Sequence, residues 1–335
     1  MIIVISRLLV ILTLAATVFA LACGDDSNSD GTKLKVVTTV SPITSIAENI
    51  GGERIRVEGI VPEGVNSHTF EPAPSVARLL SEADLIVVNG LFLEEPTLEM
   101  AEANKKASAQ VLLLGDNTIS RGEWAFDFSF PESEGHPNPH LWPDPMLGLR
   151  YAELIHGKLV EMDPENKEYY DANLAEFRER IVDYDRMIKE AIASIPSQNR
   201  KLLTYHDSWA YFARRYGMEV VGAAQPADFS EPSAREVANL IDQVRDLKLP
   251  AVFGSEVFPS PVLQQIAREG GARFVDSLRD DDLPGAPGDA RHSYLGLISQ
   301  NMEIMVEALG GDKSKLSGLD PSPVFEGSSG AVYPQ

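Results

Sequence analysis

The chain has 335 residues, 44% of them hydrophobic and 24% charged, and its 50 acidic against 29 basic side chains give a net charge of −21 at neutral pH. This is a globular composition, long enough for about two domains, and it excludes the fibrous and disordered classes. So acidic a balance argues against nucleic acid and anionic lipid as partners and is compatible with attracting cations.

Residues 1–22 stand apart from the rest. Arg7 precedes an apolar run from Leu8 to Ala16, and mostly small or apolar residues follow up to Cys23. A weakly basic start, an apolar core and a small-residue cut site read as a secretory signal peptide. Ala20-Leu21-Ala22-Cys23-Gly24 resembles a bacterial lipobox, which implies that Cys23 is lipidated and becomes the mature N-terminus. Cys23 is the single cysteine, so no intramolecular disulfide can form, and lipid attachment accounts for an exported thiol. Residues 23–32 are polar, lack apolar periodicity and read as a flexible tether.

A first α/β block is expected over residues 33–162. Leu34 to Val40 is β-branched and reads as a strand, and Ser41-Pro42 opens a helix that Gly51-Gly52 stops. Strands follow at Ile55–Val61, Asp84–Gly90 and Gln110–Leu114, alternating with helices at Ser75–Glu82 and Thr97–Lys106. That alternation predicts a parallel sheet covered by helices. Arg121 to Pro139 reads as a long loop, and helical periodicity resumes from Met146 to Glu161.

Residues 163–196 are expected to form one long helix, with Tyr170, Leu174, Phe177, Ile181, Tyr184, Ile188, Ala191 and Ile195 recurring at spacings of three and four. Its polar face lacks a regular charge code, so a strut lying across two lobes fits better than a coiled-coil arm. A second α/β block follows over residues 197–311. Its strands are expected at Lys201–His206, Met218–Ala223, Ala251–Gly254 and Arg273–Val275, with helices at Asp207–Tyr216, Ser233–Leu247, Pro261–Glu269 and His292–Leu309. Residues 312–335, rich in Ser, Pro and Gly, read as a flexible tail. Two mostly parallel α/β lobes joined by a backbone helix imply a cleft, and clefts near the carboxyl ends of strands are where ligands bind.

Six histidines occur: 68, 136, 140, 156, 206 and 292. His140 lies in Pro137-Asn138-Pro139-His140-Leu141-Trp142-Pro143-Asp144-Pro145, where successive prolines restrict the backbone on both sides of one imidazole. His68 follows the second strand, and His206 ends the first strand of the second block. Three imidazoles on strand-end loops can converge on one cleft, and neutral ring nitrogens bind zinc or manganese when an acceptor orients the other nitrogen. Glu71, Asp144 and Asp207 are the nearby candidates for such acceptors, with Glu256 at a strand end as a further supporting carboxylate. His136 reads as a surface-loop residue, His156 as an ordinary helical one, and His292 as a neighbour of the loop after the last strand.

His68-Thr69-Phe70-Glu71-Pro72, Asn138 to Pro145, and Tyr205-His206-Asp207-Ser208-Trp209 through Gly217 resemble the metal-ligand blocks of the zinc/manganese solute-binding lipoproteins of ABC importers. Asn89-Gly90-Leu91-Phe92-Leu93-Glu94 and Tyr294 to Leu309 are also similar to that family, and the resemblance runs in order from about Leu34 to Leu309. It implies two α/β lobes bridged by a helix, with His68, His140 and His206 as ligands and a carboxylate after the last strand as the fourth. Asp276-Ser277-Leu278 and Asp281-Asp282-Leu283 both match that carboxylate's pattern. The shorter distance to Tyr294 favours Asp281, with Asp276 the alternative and Asp280 and Asp282 as solvated neighbours.

The resemblance further implies a monomeric receptor, tethered through Cys23 to the outer face of the bacterial cell membrane or in the periplasm, that delivers its ion to an ABC permease and its ATPase. Three nitrogens and one carboxylate favour Zn2+ over Mn2+. A zinc-dependent hydrolase would need an open coordination position, and an adhesin or structural surface protein would use a metal only to hold its fold; both are weaker readings than a non-enzymatic receptor.

Overall fold

The computed structural model describes residues 33–225, 229–255 and 261–325. The signal peptide, Cys23, the tether, Glu256 and the last ten residues lie outside that range.

Two four-stranded parallel sheets organise the chain, and both have the same order. In the first, β1 (Leu34–Thr38) sits between β2 (Ile55–Gly59) and β3 (Leu85–Val88), with β4 (Gln110–Leu113) outside β3. In the second, β5 (Lys201–Thr204) sits between β6 (Glu219–Ala223) and β7 (Ala251–Phe253), with β8 (Arg273–Val275) outside β7. Helices cover both faces of such a sheet, which is why central strands such as Leu85-Ile86-Val87-Val88 are buried at every residue rather than at alternate ones. In each sheet the chain reverses direction of growth beside the first strand, so the crevice at the strand ends opens there.

The helices are α1 (Ser41–Gly51), α2 (Pro74–Glu82), α3 (Glu95–Asn104), α4 (Leu114–Thr118), α5 (Pro145–Met162), α6 (Lys167–Ser194), α7 (Ala210–Tyr216), α8 (Ala234–Leu247), α9 (Pro261–Gly270) and α10 (Tyr294–Ala308). Helix α6 is the strut. Its 28 residues extend about 42 Å at 1.5 Å per residue. The buried stripe Tyr170, Leu174, Phe177, Ile181, Tyr184 and Ile188 packs on α1 and α5 from the first lobe and on α7 and α10 from the second. One hydrophobic core therefore runs through both lobes, while a smaller cluster around Leu203, Ile241, Val252 and Ile266 fills the outer flank of the second sheet.

Three local expectations need revision. The stretch read as loop, Arg121 to Pro139, carries short 3-10 turns at Arg121–Glu123 and Glu132–Glu134, and a short helix, α4, precedes it. Helix α7 begins at Ala210 rather than Asp207, because Thr204 Oγ1 donates to the His206 carbonyl (2.7 Å) and Asn138 Nδ2 to the Asp207 carbonyl (2.7 Å), so both carbonyls are engaged outside the helix. The segment from Gly310, read from composition as a loose tail, docks as far as Phe325. Its polar groups meet partners on α6 and α1: Tyr184 Oη donates to the Asp320 carbonyl (2.8 Å), Arg180 Nη1 to that of Ser322 (2.9 Å), and Val324 N to Asn49 Oδ1 (2.7 Å).

Candidate metal centre

His68, His140 and His206 come together between the two sheets. The Nε2 atoms of His68 and His140 are 3.1 Å apart, those of His140 and His206 3.2 Å, and among the described residues these three side chains form the group whose donor atoms all lie within 4.8 Å of one another. His140 and His206 are buried, and His68 is partly exposed.

Each imidazole reaches this point by local chemistry. Asn66 Oδ1 accepts from the His68 N–H (2.9 Å), turning the loop after β2 inward, and the His68 ring stacks on Phe229 at 4.7 Å and 18°. His140 sits in a backbone narrowed by Pro139 and closed by α5, whose first residue is Pro145 and whose N-cap Asp144 accepts from Met146 N (2.9 Å). The cage is clamped from behind. Trp142 is fully buried, its indole N–H donates to the Asp280 carbonyl (2.7 Å), and Tyr294 Oη donates to the Trp142 carbonyl (2.7 Å). Gly148 on α5 permits that approach, since a Cβ there would collide with the Tyr294 phenol oxygen. His206 follows β5 directly, which brings its ring to the carboxyl edge of the second sheet.

Two amides fix the tautomers. Asn138 Nδ2 uses both hydrogens, one to Asp127 Oδ2 (2.7 Å) and one to the Asp207 carbonyl (2.7 Å), so its Oδ1 is the atom facing His140 Nδ1 at 2.8 Å. That oxygen can only accept, so Nδ1 carries the proton and Nε2 a lone pair. Gln225 Nε2 donates to the Phe229 carbonyl (3.2 Å), which leaves its Oε1 to accept from His206 Nδ1 (3.0 Å). His206 Nε2 is therefore a lone pair too. Two lone pairs 3.2 Å apart in a buried site repel each other unless a cation lies between them. Burial, followed by the charge of neighbouring His206, holds the His68 and His140 imidazoles well below their ordinary pKa, and burial lowers His206 against the opposing charge of Asp280. All three are neutral donors at neutral pH.

The loop between β8 and α10 brings carboxylates to the second-lobe side. Asp280, Asp281 and Asp282 are all buried, whereas Asp276 is exposed. Asp281, the first sequence candidate for a fourth donor, accepts from Ser67 Oγ through Oδ2 (2.6 Å), and its buried Oδ1 makes no hydrogen bond. Burial, then the adjacent Asp280 and Asp282 charges, raise its carboxyl well above the usual range. Asp280, read from sequence as a solvated neighbour, is buried, and its charge acts on His206.

The carboxylates expected behind the imidazoles have other positions. Glu71 is exposed. Asp144 caps α5 and lies 3.6 Å from Arg215 Nε. Asp207 is buried against Asp127, burial and that neighbouring charge raising its carboxyl, and it is its backbone carbonyl that serves the site, through Asn138. The amides of Asn138 and Gln225 do the work assigned to them. Asn138, two residues before His140, carried a readable signal in its ability to bond its own backbone two residues on, as its 2.9 Å contact to His140 N shows. Gln225 had none, because it arrives from the end of a neighbouring strand.

Among the other histidines, His136 stacks on Phe92 (4.1 Å, 4°) at the mouth of a cavity of about 180 Å³ that His68 also lines. His156 pairs with Asp171 (2.8 Å) on the helical surface. His292 is buried 3.7 Å from Glu63, which in turn accepts from Leu283 N (3.1 Å) in the acidic loop.

Two parallel-sheet lobes facing each other across convergent nitrogen donors define a cleft-type solute-binding protein. The family model described as "Zinc-uptake complex component A periplasmic" (ZnuA) matches residues 36–308, and the chain belongs to this family. It is 29% identical over 293 residues to the manganese-binding lipoprotein MntA of Halalkalibacterium halodurans, covering 87% of this chain and 94% of that one. It is 30% identical over 306 residues to the iron-binding protein YfeA of Yersinia pestis, covering 91% and 96%. Among solved structures, the periplasmic zinc-binding protein TroA of Treponema pallidum superimposes with a TM-score of 0.75 at 26% identity, covering 83% of this chain and 99% of that one.

Proposed function

We propose that the protein is the receptor of a metal-ion ABC importer, capturing one divalent transition-metal ion between His68, His140 and His206 and delivering it to a permease driven by an ATPase. The observation that carries this reading is the pair of pinned lone pairs on His140 and His206, 3.2 Å apart with His68 Nε2 beside them. A tetrahedral ion with arms of about 2.0–2.1 Å has donor–donor edges of about 3.3–3.4 Å, close to this spacing. The fourth donor is a carboxylate of the Asp280–Asp282 loop, and Asp280 is our assignment because it is buried, its backbone is held (2.7 Å) by Trp142 next to the His140 ring, and its charge acts on His206. Asp281 then supports the loop through Ser67.

Zinc is the proposed cargo, since three nitrogens and one oxygen suit it better than manganese, which prefers oxygen-rich sites. The names of relatives include manganese, iron and zinc, so the competition between ions is the measurement that matters. Four protein donors leave no coordination position for a hydrolytic water, which favours a receptor over an enzyme. We further propose a monomer, with residues 33–162 and 197–311 as lobes about the 163–196 linker, anchored by lipidated Cys23 outside the cell membrane.

Competitive titration of residues 24–335 with zinc and manganese tests this. One ion should bind reversibly, zinc ahead of manganese, and chelation should return a folded apo-protein; unfolding on chelation would instead mark a structural metal. Asp280→Asn should weaken zinc binding by more than the roughly 10- to 100-fold that loss of an outer hydrogen-bond partner costs, while Asp276→Asn leaves it unchanged. If Asp281→Asn causes the larger loss, the fourth-donor assignment moves to Asp281.

A further inference from the structure

Asn138 is anchored to the second lobe twice, although it lies in the segment that leads into α5. Its Nδ2 donates to the Asp207 carbonyl (2.7 Å), one residue after His206, and its own carbonyl accepts from Tyr211 Oη on α7 (3.0 Å). Its Oδ1 meanwhile accepts from both the backbone N–H (2.9 Å) and the Nδ1–H (2.8 Å) of His140. The remaining amide hydrogen goes to Asp127 Oδ2 (2.7 Å), and its backbone N–H to the Ala125 carbonyl (2.8 Å). The side chain is fully buried and every polar atom of the residue is engaged.

We infer that Asn138 is a positioning residue that couples the arrangement of the two lobes to the aim of the His140 imidazole. One amide group holds a first-lobe imidazole with its oxygen and the second-lobe backbone beside His206 with its nitrogen. The group is planar and rigid, so a displacement of the Asp207 carbonyl turns the amide, and the acceptor behind His140 turns with it. Movement of the second lobe thus withdraws the support of His140 at the same time as it carries His206 away. Release of the ion becomes a concerted loss of two donors instead of a sequential one. Gln225 differs in this respect, since its side-chain hydrogen bonds to His206 and Phe229 stay within the second block and only its backbone carbonyl, accepting from Ser129 Oγ (3.1 Å), reaches the first.

This inference rests on the metal-receptor reading, and wild-type protein separates the two. If wild type binds neither Zn2+ nor Co2+, that reading fails. With wild-type binding established, zinc release into excess chelator is followed by stopped flow, and the Co2+ visible spectrum reports donor geometry. Asn138→Ala should weaken zinc binding about 10- to 100-fold and alter the Co2+ bands, the usual cost of losing an outer hydrogen bond to a metal-bound histidine. Asn138→Asp retains the acceptor for His140 but loses both donors. Coupling predicts that it releases zinc several-fold faster than wild type; a purely local acceptor role predicts the wild-type rate. Tyr211→Phe, which leaves the site's side chains intact, should also speed release. Wild-type release from both Asn138→Asp and Tyr211→Phe overturns the proposal, as does a folded Asn138→Ala with unchanged affinity and Co2+ spectrum. Should Asn138→Ala fail to fold, the other two variants decide.

Discussion

The imidazoles of His140 and His68 bring their Nε2 atoms within 3.1 Å and are held by opposite means. His140 is fully buried, caged by prolines, and fixed by an amide whose hydrogen bonds are all used. His68 is partly exposed, lines a cavity, and lies among the rings of Phe130 and Phe229 at 5.5 and 4.7 Å, with its backbone N–H tied by Asn66 and its Nε2 meeting that of His140. A hydrogen-bonded ring has one orientation, whereas a ring held by stacking can slide at small cost. The site therefore pairs prearranged donors, His140 and His206, with an adaptable one on the solvent side. In the proposed receptor, preorganisation would favour affinity, and the adaptable donor would give the ion a way in and out.

The largest expected effect breaks the fixed side. His140→Ala should weaken zinc binding by roughly three orders of magnitude, about 4 kcal/mol, measured against a chelator of known affinity. His68→Ala should cost less, roughly 10- to 100-fold or about 1.4–2.7 kcal/mol. Equal losses in the two variants would remove the distinction between fixed and adaptable donors.

Acid tests the three rings together. Their folded pKa values lie below the ordinary 6.5, so the unfolded chain takes up protons that the folded apo-protein excludes. Their contribution to stability is in place above about pH 6.5 and is lost as pH falls through that value toward the depressed ones. Thermal unfolding of the apo-protein should therefore lose more between pH 7.5 and 5.5 in wild type than in His140→Ala, and zinc affinity should fall over the same range. The smallest effect lies outside the comparison. Ser233 and Glu236 form a capping box at the start of α8, on the outer flank of the second lobe, so Ser233→Ala should lower stability by about 1 kcal/mol in denaturant titration and leave zinc affinity unchanged.

Most of the architecture was legible because its signals are local. Periodicity located the strut to within four residues of Lys167–Ser194, continuous apolar runs located the parallel strands, and Ser233 with Glu236 marked a helix start. That His68, His140 and His206 could converge was legible through their settings at strand ends and in the proline cage, while their reading as ligands came from the family resemblance. What stayed hidden depends on contacts between distant segments. Gln225 faces His206 because β6 lies beside β5, which no spacing in the chain encodes. Carboxylates were expected behind the imidazoles on chemical grounds, yet Asp207 contributes its carbonyl and Asp144 caps a helix. The docked end of the chain, up to Phe325, looked loose because its polar residues reveal their partners on α6 and α1 only in three dimensions.

Trp142 gives the molecule a built-in optical reporter. Its indole lies 5.1 Å from the His140 ring, is shielded from water, and grips the carbonyl of Asp280 through its N–H. Any shift of the acidic loop changes the hydrogen bond to the excited indole, and a cation arriving at His140 changes the field across it. Emission from the unlabelled protein should follow cargo capture in real time, and Trp142→Phe should silence most of that signal while Trp124 and Trp209 continue to emit.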